Sequence, residues 1–328
     1  MIMKTKEDAK CSAASKLQKQ EWKFQDSMKI TAFLLIPGLL LYVAFGNSVT
    51  WYLQTFWKAS SFFWQTQWEN LHHRLGGNEW AIFTFGTAIV PLFIFWGLNG
   101  IFLVADTTQK PSFITQYSIR LGKKDLIDRA KLFNVIRTVL FNQFFITLPM
   151  LMLMLPILKR RGDPCSLSLP TFHWFLLELA VYVILQEISF YYIHRLIHHP
   201  LLFKHIHKKH HEWTAPVSIV SIYAHPVDHI ISNMVPLQIG PVLLGSHVTS
   251  IMAWLSLAVL NSTVVHSGYH LPFLPPPEFH DYHHLTFNHC YGNLGIMDHL
   301  HGTDTSFKQT KVYMNISKSL PELPKKSE

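Results

Sequence analysis

The chain is poor in charged residues. Of its 328 residues only 15% are Asp, Glu, Lys or Arg, whereas soluble domains average about 25%. Hydrophobic residues make up 49%, and the mean hydropathy is +0.17. This composition argues against a soluble protein and predicts a membrane protein. The formal net charge is +8, but the lysines flank apolar segments as they do in membrane proteins, so no nucleic-acid partner is expected.

Cysteine is scarce as well. The three cysteines are Cys11, Cys165 and Cys290, and no two of them are spaced as CxxC. A disulfide framework and a thiolate zinc site are therefore not expected. Any metal in this protein should take nitrogen or oxygen ligands.

Apolar segments of about 20 residues, the length that a helix needs to cross the hydrocarbon of a bilayer, recur through the chain. They cover residues 30–49, 81–105, 138–158 and 174–193. A further segment, 231–265, contains no charged residue and is interrupted by proline and glycine. We expect an all-α membrane protein with about four transmembrane helices plus a membrane-dipping helical hairpin, although two short spans also fit the last segment.

Lysine and arginine set the expected orientation. Residues 1–29 and 106–137 carry seven of them each, against two in 50–80. Because cytosolic flanks are enriched in these residues, both termini are expected in the cytosol. The predicted parts are a cytosolic polar tail (1–29), N-terminal membrane helices with a cytosolic loop (30–173), a metal-binding domain (174–307) and a cytosolic C-terminal tail (308–328). The third part includes the fourth apolar segment and the hairpin, and its histidine-rich helices form the cytosolic metal domain.

Histidine is the most informative residue type, because eighteen of the 21 histidines lie between His194 and His301. Residues three and four apart share a helix face, so the members of one cluster can converge, and neutral imidazole is the commonest metal ligand. One structural zinc takes about four ligands, so this number of imidazoles predicts two metals. The clusters HRLIHH, HKKHH, HSGYH and HDYHH supply His194, His198, His199, His207, His210, His211, His266, His270, His280, His283 and His284.

Carboxylates near these clusters are expected to orient the imidazoles, as acids beside metal ligands commonly do. Glu187 lies two helical turns before His194, inside an apolar segment where an acid is costly. The other candidates are Asp228, Glu278, Asp281 and Asp298. Imidazole suits zinc, copper, iron and nickel, so spacing alone leaves open an oxygen-activating diiron centre and a hydrolytic zinc centre.

The ordered motifs HRLIHH, HKKHHEWTAP, YAHP, HSGYH, EFHDYHH and YGNLGIMDHLHGTD resemble the fatty acid hydroxylase/sterol desaturase superfamily over about residues 174–307. Within it, HHEWTAP, YAHP and HSGY are similar to C-4 methylsterol oxidases. The resemblance implies two iron ions, with zinc able to replace them in vitro. It implies as ligands the histidines of HRLIHH, HKKHH and HDYHH, with His266 as a further one.

The resemblance also implies an endoplasmic reticulum membrane protein that uses O₂ and takes electrons from NAD(P)H through cytochrome b5 or its reductase. Lys325 and Lys326 resemble a dilysine retrieval signal of that membrane. His270 departs from methylsterol oxidases, in which an acid often follows HSGY, and matches a ligand histidine of fatty acid 2-hydroxylases.

The prediction is a diiron monooxygenase that oxidises the 4-methyl group of sterol intermediates in the bilayer. Two alternatives stay open. The first is hydroxylation of fatty acyl or sphingolipid chains by the same chemistry. The second is a non-catalytic protein that contains metal and regulates lipid metabolism.

Overall fold

The computed structural model describes residue 55 and residues 58–120, 129–213 and 216–319. The chain divides into two compact units, Met1–Gln67 and Trp68–Glu328. In the first unit, residues 58–67 are helical. The predicted tail 1–29 and the first apolar segment, 30–49, lie outside the described residues, and the domain boundaries stay a prediction.

In the described part of the second unit all regular secondary structure is helical, apart from one isolated antiparallel bridge between Ser118 and Tyr269. This confirms the predicted all-α membrane fold. Short 3₁₀ turns cover His210–Glu212 and Ser218–Ile222. The helices are α1 (Glu79–Thr108), α2 (Ser112–Thr115), α3 (Ala130–Lys159), α4 (Phe172–Ile197), α5 (Pro200–Phe203), α6 (Val235–Leu244), α7 (Val248–Val265), α8 (Glu278–Thr286), α9 (Ile296–His301), α10 (Thr305–Lys308) and α11 (Lys311–Ser319).

Helices α1, α3, α4 and α7 are long and apolar enough to cross a membrane. The first three contain the predicted segments 81–105, 138–158 and 174–193. The fourth is the second arm of the predicted hairpin, whose arms meet at Gly245, a residue with the left-handed φ of +64° that favours glycine. The first arm runs from Pro226 through the π-helical turn His229–Met234 to the end of α6 at Leu244, and it is not among the described helices that are long and apolar enough to cross.

Three π-helical turns interrupt the membrane helices and their connections, at Phe85–Ile89, Asn142–Thr147 and His229–Met234. Such turns often occur at functional sites because the extra residue redirects side chains. Here the second and third turns meet, since His229 Nε2 and Thr147 Oγ1 are 2.8 Å apart. Val135 and Val139 of α3 pack against Val217–Val220, next to the histidine-rich segments.

The packing of α4 on α6 depends on Gly240. A Cβ atom at this position would lie 2.5 Å from Cδ1 of Tyr182, closer than real atoms approach, and 3.1 Å from its Cα, which is a tight contact. Small residues allow this kind of close helix contact within membranes. The contact fixes α4, whose last residues carry the first histidines of the metal domain.

We predict that Gly240→Ala lowers stability by about 1–3 kcal/mol, the usual cost of overpacking a close contact. The measurement is thermal unfolding of the purified protein in detergent. Gly100→Ala in α1 is the matched control, because open space surrounds that position and alanine is the better helix former. Equal unfolding temperatures for the two variants would contradict the close α4–α6 packing.

Candidate metal centre

Four segments bring the histidines together. The end of α4 carries His194 and His198, and the last turn of α7 leads into His266. Residues 204–212, which form tight turns rather than an α-helix, supply the HKKHH cluster. Helix α8 supplies HDYHH. The site therefore forms where the end of a membrane-crossing helix meets three later parts of the chain.

The structure arranges nine histidines in two groups, within each of which the candidate ligand nitrogens lie within 4.8 Å of one another. Most of the nine are buried, and the other two, His198 and His280, are half-buried. Rings of the two groups touch, with the centroids of His211 and His284 4.5 Å apart. The first group is His194, His198, His207, His211 and His283, and the second is His210, His266, His280 and His284.

Each HxxHH cluster is divided between the two groups. His207 and His211 belong to the first group, whereas His210 belongs to the second. The division is reversed in α8, where the outer pair joins the second group and His283 joins the first. We expected the three histidines of each cluster to converge. Instead, the first and last histidines of each cluster point into one group, and the middle histidine points into the other. The two clusters thus tie the two groups into one centre.

Hydrogen bonds orient the imidazoles of the first group. Nδ1 of His194 donates to the carbonyl oxygen of Tyr291 at 2.7 Å, and Nδ1 of His283 donates to that of His289 at 2.7 Å. Since a carbonyl oxygen only accepts, Nδ1 carries the proton and Nε2 keeps its lone pair. His207 is held the same way, 2.8 Å from a carboxylate oxygen of Asp228.

The second group is oriented by the same device. Nδ1 of His266 donates to the carbonyl oxygen of Ser262 at 2.7 Å, one turn back in α7. Nδ1 of His210 donates to the carbonyl oxygen of Tyr223 at 3.2 Å. Acceptors of this kind fix ring orientation and tautomer in known metal sites.

The inward-facing nitrogens are crowded and lack protons. Burial lowers the pKa of His266 to about 3, and it also lowers the pKa of His207, His210 and His283. These rings are therefore neutral at pH 7.

The Nε2 atoms of His194 and His207, whose Nδ1 atoms both face oxygen acceptors, are nevertheless 3.1 Å apart. Two lone pairs repel at this distance. A cation between them removes the repulsion.

Two further nitrogens point to the same conclusion. Nε2 of His198 and Nε2 of His283 are buried without a hydrogen-bond partner. A buried polar atom without a partner is costly, and a metal ion satisfies it. The residues present therefore fit a metal in each group, through nitrogen donors alone.

The predicted orienting acids divide into those that touch an imidazole of the centre and those that act through the backbone. Asp228 touches His207 directly, and its second oxygen accepts from Ser232 Oγ at 2.7 Å. Glu187 instead accepts four backbone N–H groups from residues 293–297. Asp298 accepts the N–H of Tyr291 at 2.8 Å and so helps to hold the carbonyl that orients His194.

Two histidines of the predicted set lie outside both groups. His199 is exposed, and its Nδ1 accepts the N–H of Leu201 at 3.4 Å at the start of α5. His270 Nδ1 lies 2.6 Å from Glu278 Oε1. The predicted acid Glu278 therefore contacts a histidine that lies outside both groups. Burial, followed by the charge of Glu278, raises the pKa of Asp281 to about 6. Metal ligation by any of these histidines stays a prediction.

One residue that holds the site was not identified from the sequence. Asn142 is fully buried in α3, and its Nδ2 donates to the carbonyl oxygens of Ile222 and Ala224 at 3.0 and 3.1 Å. It thereby fixes the segment whose Tyr223 carbonyl orients His210. The available signal was a side-chain amide inside an apolar membrane segment, where polar groups are expensive.

The described helices that can cross a membrane define an all-helical membrane protein. The two histidine groups at the end of one of these helices form a polyhistidine centre able to bind metal. A family model described as fatty acid hydroxylase matches residues 179–303, which include both groups. The chain belongs to the fatty acid hydroxylase family.

Similar proteins extend this assignment over most of the chain. Fatty acid hydroxylase domain-containing protein 2 of Homo sapiens is 56% identical over 319 residues, which cover 94% of this chain and 96% of that protein. Methylsterol monooxygenase 2-2 of Arabidopsis thaliana is 30% identical over 232 residues, 67% of this chain and 84% of that protein. Fatty acid hydroxylase ahd1 of Mycosarcoma maydis is 33% identical over 210 residues, 64% of this chain and 54% of that protein. No solved structure matches the chain.

We predict that Asp228→Asn weakens metal binding by about 10–100-fold, the usual effect of losing an orienting carboxylate. An amide has one acceptor oxygen where the carboxylate has two, so it cannot serve His207 and Ser232 equally. Metal content of the purified protein across a chelator titration measures the loss. Asp163→Asn, which changes an exposed acid outside both groups, is the control. Unchanged metal retention in Asp228→Asn would contradict the proposed role of this carboxylate.

Adjacent histidines give a sharper test of the grouping. His198→Ala should lower the bound metal per chain, because it removes a member of the first group, whereas His199→Ala should leave it unchanged. Elemental analysis of the two purified variants measures the difference. An equal loss in both would support the ligand set that the sequence motif implies and contradict the geometry.

Proposed function

We propose that this protein is an iron-dependent oxygenase that uses O₂ to oxidise a C–H bond of a membrane lipid. One observation carries the proposal: two touching, all-histidine groups lie at the end of α4, a helix able to cross the bilayer. With nine imidazoles for two groups, a dinuclear site with iron in each group suits the donors present. Electrons would come from NAD(P)H through cytochrome b5 or its reductase.

Iron bound in both groups would activate O₂ for attack on an otherwise unreactive C–H bond. The protein's own residues keep the imidazoles neutral by burial and hold Nε2 of each oriented ring toward the centre. Asp228 and the carbonyl oxygens of Tyr291, Tyr223 and Ser262 retain the Nδ1 protons. Because α4 leads from the bilayer directly to His194 and His198, a lipid can approach the centre without leaving the membrane.

A sterol 4-methyl group is the substrate we favour. The similar methylsterol monooxygenase covers more of this chain and more of its own length than the similar fatty acid hydroxylase does. The pairing of His270 with Glu278, outside both groups, also supports this choice, because a ligand histidine at that position would suit fatty acid 2-hydroxylases. The fatty acyl chain is the second candidate, supported by 33% identity to fatty acid hydroxylase ahd1.

We place the protein in the endoplasmic reticulum membrane with both termini and the metal centre in the cytosol. The lysine and arginine content of residues 1–29 and 106–137 supports this orientation. The sequon at Asn315 would then stay without glycan. A glycan on Asn315 would reverse the orientation.

The test is lipid mass spectrometry of cells that lack the protein and are complemented with variants. Loss of the protein should raise 4-methyl sterols, and the unaltered chain should reverse the rise. His207→Ala should fail to reverse it, because it removes a member of the first group. His205→Ala should succeed, since this histidine is exposed, lies two residues away and belongs to neither group.

Other outcomes separate the alternatives. A change confined to 2-hydroxy fatty acids would refute the sterol assignment and leave the oxygenase. Full rescue by His207→Ala at a normal protein level would refute catalysis and favour a non-catalytic regulator.

A further inference from the structure

Residues 291–301 lie beside the inner part of α4 rather than beyond its end. The N–H of Ile296 donates to Glu187 Oε1 at 3.0 Å, and His301 Nε2 lies 3.0 Å from the hydroxyl of Tyr192. The carbonyl oxygen of Tyr291 accepts from His194, near the end of α4. The segment therefore descends from the level of His194 to that of Glu187 at residues 293–297 and returns to that of Tyr192 at His301.

This level falls within the membrane. A helix of 26 residues such as α4 is about 39 Å long, against about 30 Å of hydrocarbon, so a centred α4 extends about 5 Å beyond each side. Glu187 precedes the last residue, Ile197, by ten residues, or about 15 Å. A centred α4 thus places the backbone of Glu187 about 10 Å inside the hydrocarbon, and the N–H of Ile296 donates to the side chain that starts there.

Six backbone N–H groups of this segment donate to two buried carboxylates, which replace the water that would serve them in a solvated loop. Glu187 accepts the N–H groups of residues 293, 294, 296 and 297 at 2.8–3.2 Å. Asp298 accepts those of Tyr291 and Gly292 at 2.8 and 2.6 Å. Both carboxylates are buried, with exposures of 2% and 0%. Irregular backbone persists at membrane depth only when its polar groups are satisfied by protein, and water would serve the same groups in a cytosolic loop.

The outer side of the segment is apolar and continues the outer face of α4. Leu294, Ile296 and Leu300 are 50%, 56% and 72% exposed. On α4 the exposed side chains include Ile188 and Tyr192, and Tyr192 is also the residue that contacts His301. One continuous surface therefore passes from the membrane-crossing helix to the segment. The exposed His299 flanks the same face of α9, three residues from Ile296, and its Nδ1 lies 2.8 Å from Nζ of Lys308.

We propose that residues 291–301 form a re-entrant segment seated in the leaflet next to the metal centre, with Leu294, Ile296 and Leu300 in contact with lipid acyl chains. Glu187 and Asp298 make this possible because they accept hydrogen bonds from backbone N–H groups of the segment. The carbonyl of Tyr291 that orients His194 then belongs to a membrane-embedded element. The placement does not depend on the reaction that the centre performs.

Quenching of a site-attached fluorophore tests the placement in the full-length protein, reconstituted in phosphatidylcholine vesicles. Cys11 is replaced by Ser, whereas Cys165 and Cys290 are buried and can remain. An NBD probe is attached at Ile296→Cys, at Ile188→Cys as the lipid-facing reference, or at Lys204→Cys, an exposed position of the histidine-rich segment, as the aqueous reference. The probe at 296 should be quenched by doxyl-labelled phosphatidylcholine and resist aqueous iodide, as at 188, whereas the probe at 204 should be quenched by iodide.

Quenching of the 296 probe by iodide to the extent seen at 204, without quenching by doxyl lipid, would overturn the proposal. A second measurement needs no substitution. Phosphatidylcholine carrying a diazirine on its acyl chain should photolabel peptides that contain residues 294–300 in the unaltered protein, as well as α4. Labelling of α4 without labelling of residues 294–300 would also overturn it.

Discussion

The structure depends on burying neutral imidazoles with their Nε2 lone pairs facing one another. This arrangement is unfavourable until a cation lies between the nitrogens, and it exists only because acceptors on the outside retain the Nδ1 protons. The acceptors are one carboxylate, Asp228, and carbonyl oxygens of Tyr291, His289, Tyr223 and Ser262. Whatever holds these acceptors in place also holds the metal centre in place.

Membrane helices hold several of them. Asn142 of α3 fixes the carbonyls on both sides of Tyr223, and Glu187 of α4 binds the segment that follows Tyr291. Ser262 is itself part of α7. The bilayer-crossing helices and the histidine-rich segments are consequently one structural unit, in which polar residues inside apolar helices serve the centre at a distance. This explains why costly polar groups are retained at membrane depth.

The sequence predicted the helices well because hydropathy over about 20 residues is set by the bilayer itself. It also predicted the histidines that meet. It did not predict how they divide, because that depends on how α8 packs against residues 204–212. His199 falls outside both groups since Pro200 forces an extended backbone before it, which turns the ring away from His198. Backbone carbonyls have no sequence signature, so the indirect action of Glu187 through the segment after Tyr291 could not be read from residue types.

Iron X-ray absorption of the purified, iron-loaded protein, combined with iron content per chain, tests the centre most directly. A dinuclear polyhistidine site predicts two iron ions per chain, a nitrogen-dominated first coordination shell and the multiple scattering that imidazole rings produce. One iron per chain would contradict it. A shell in which sulfur or carboxylate oxygen replaces most of the imidazole nitrogen would contradict it as well.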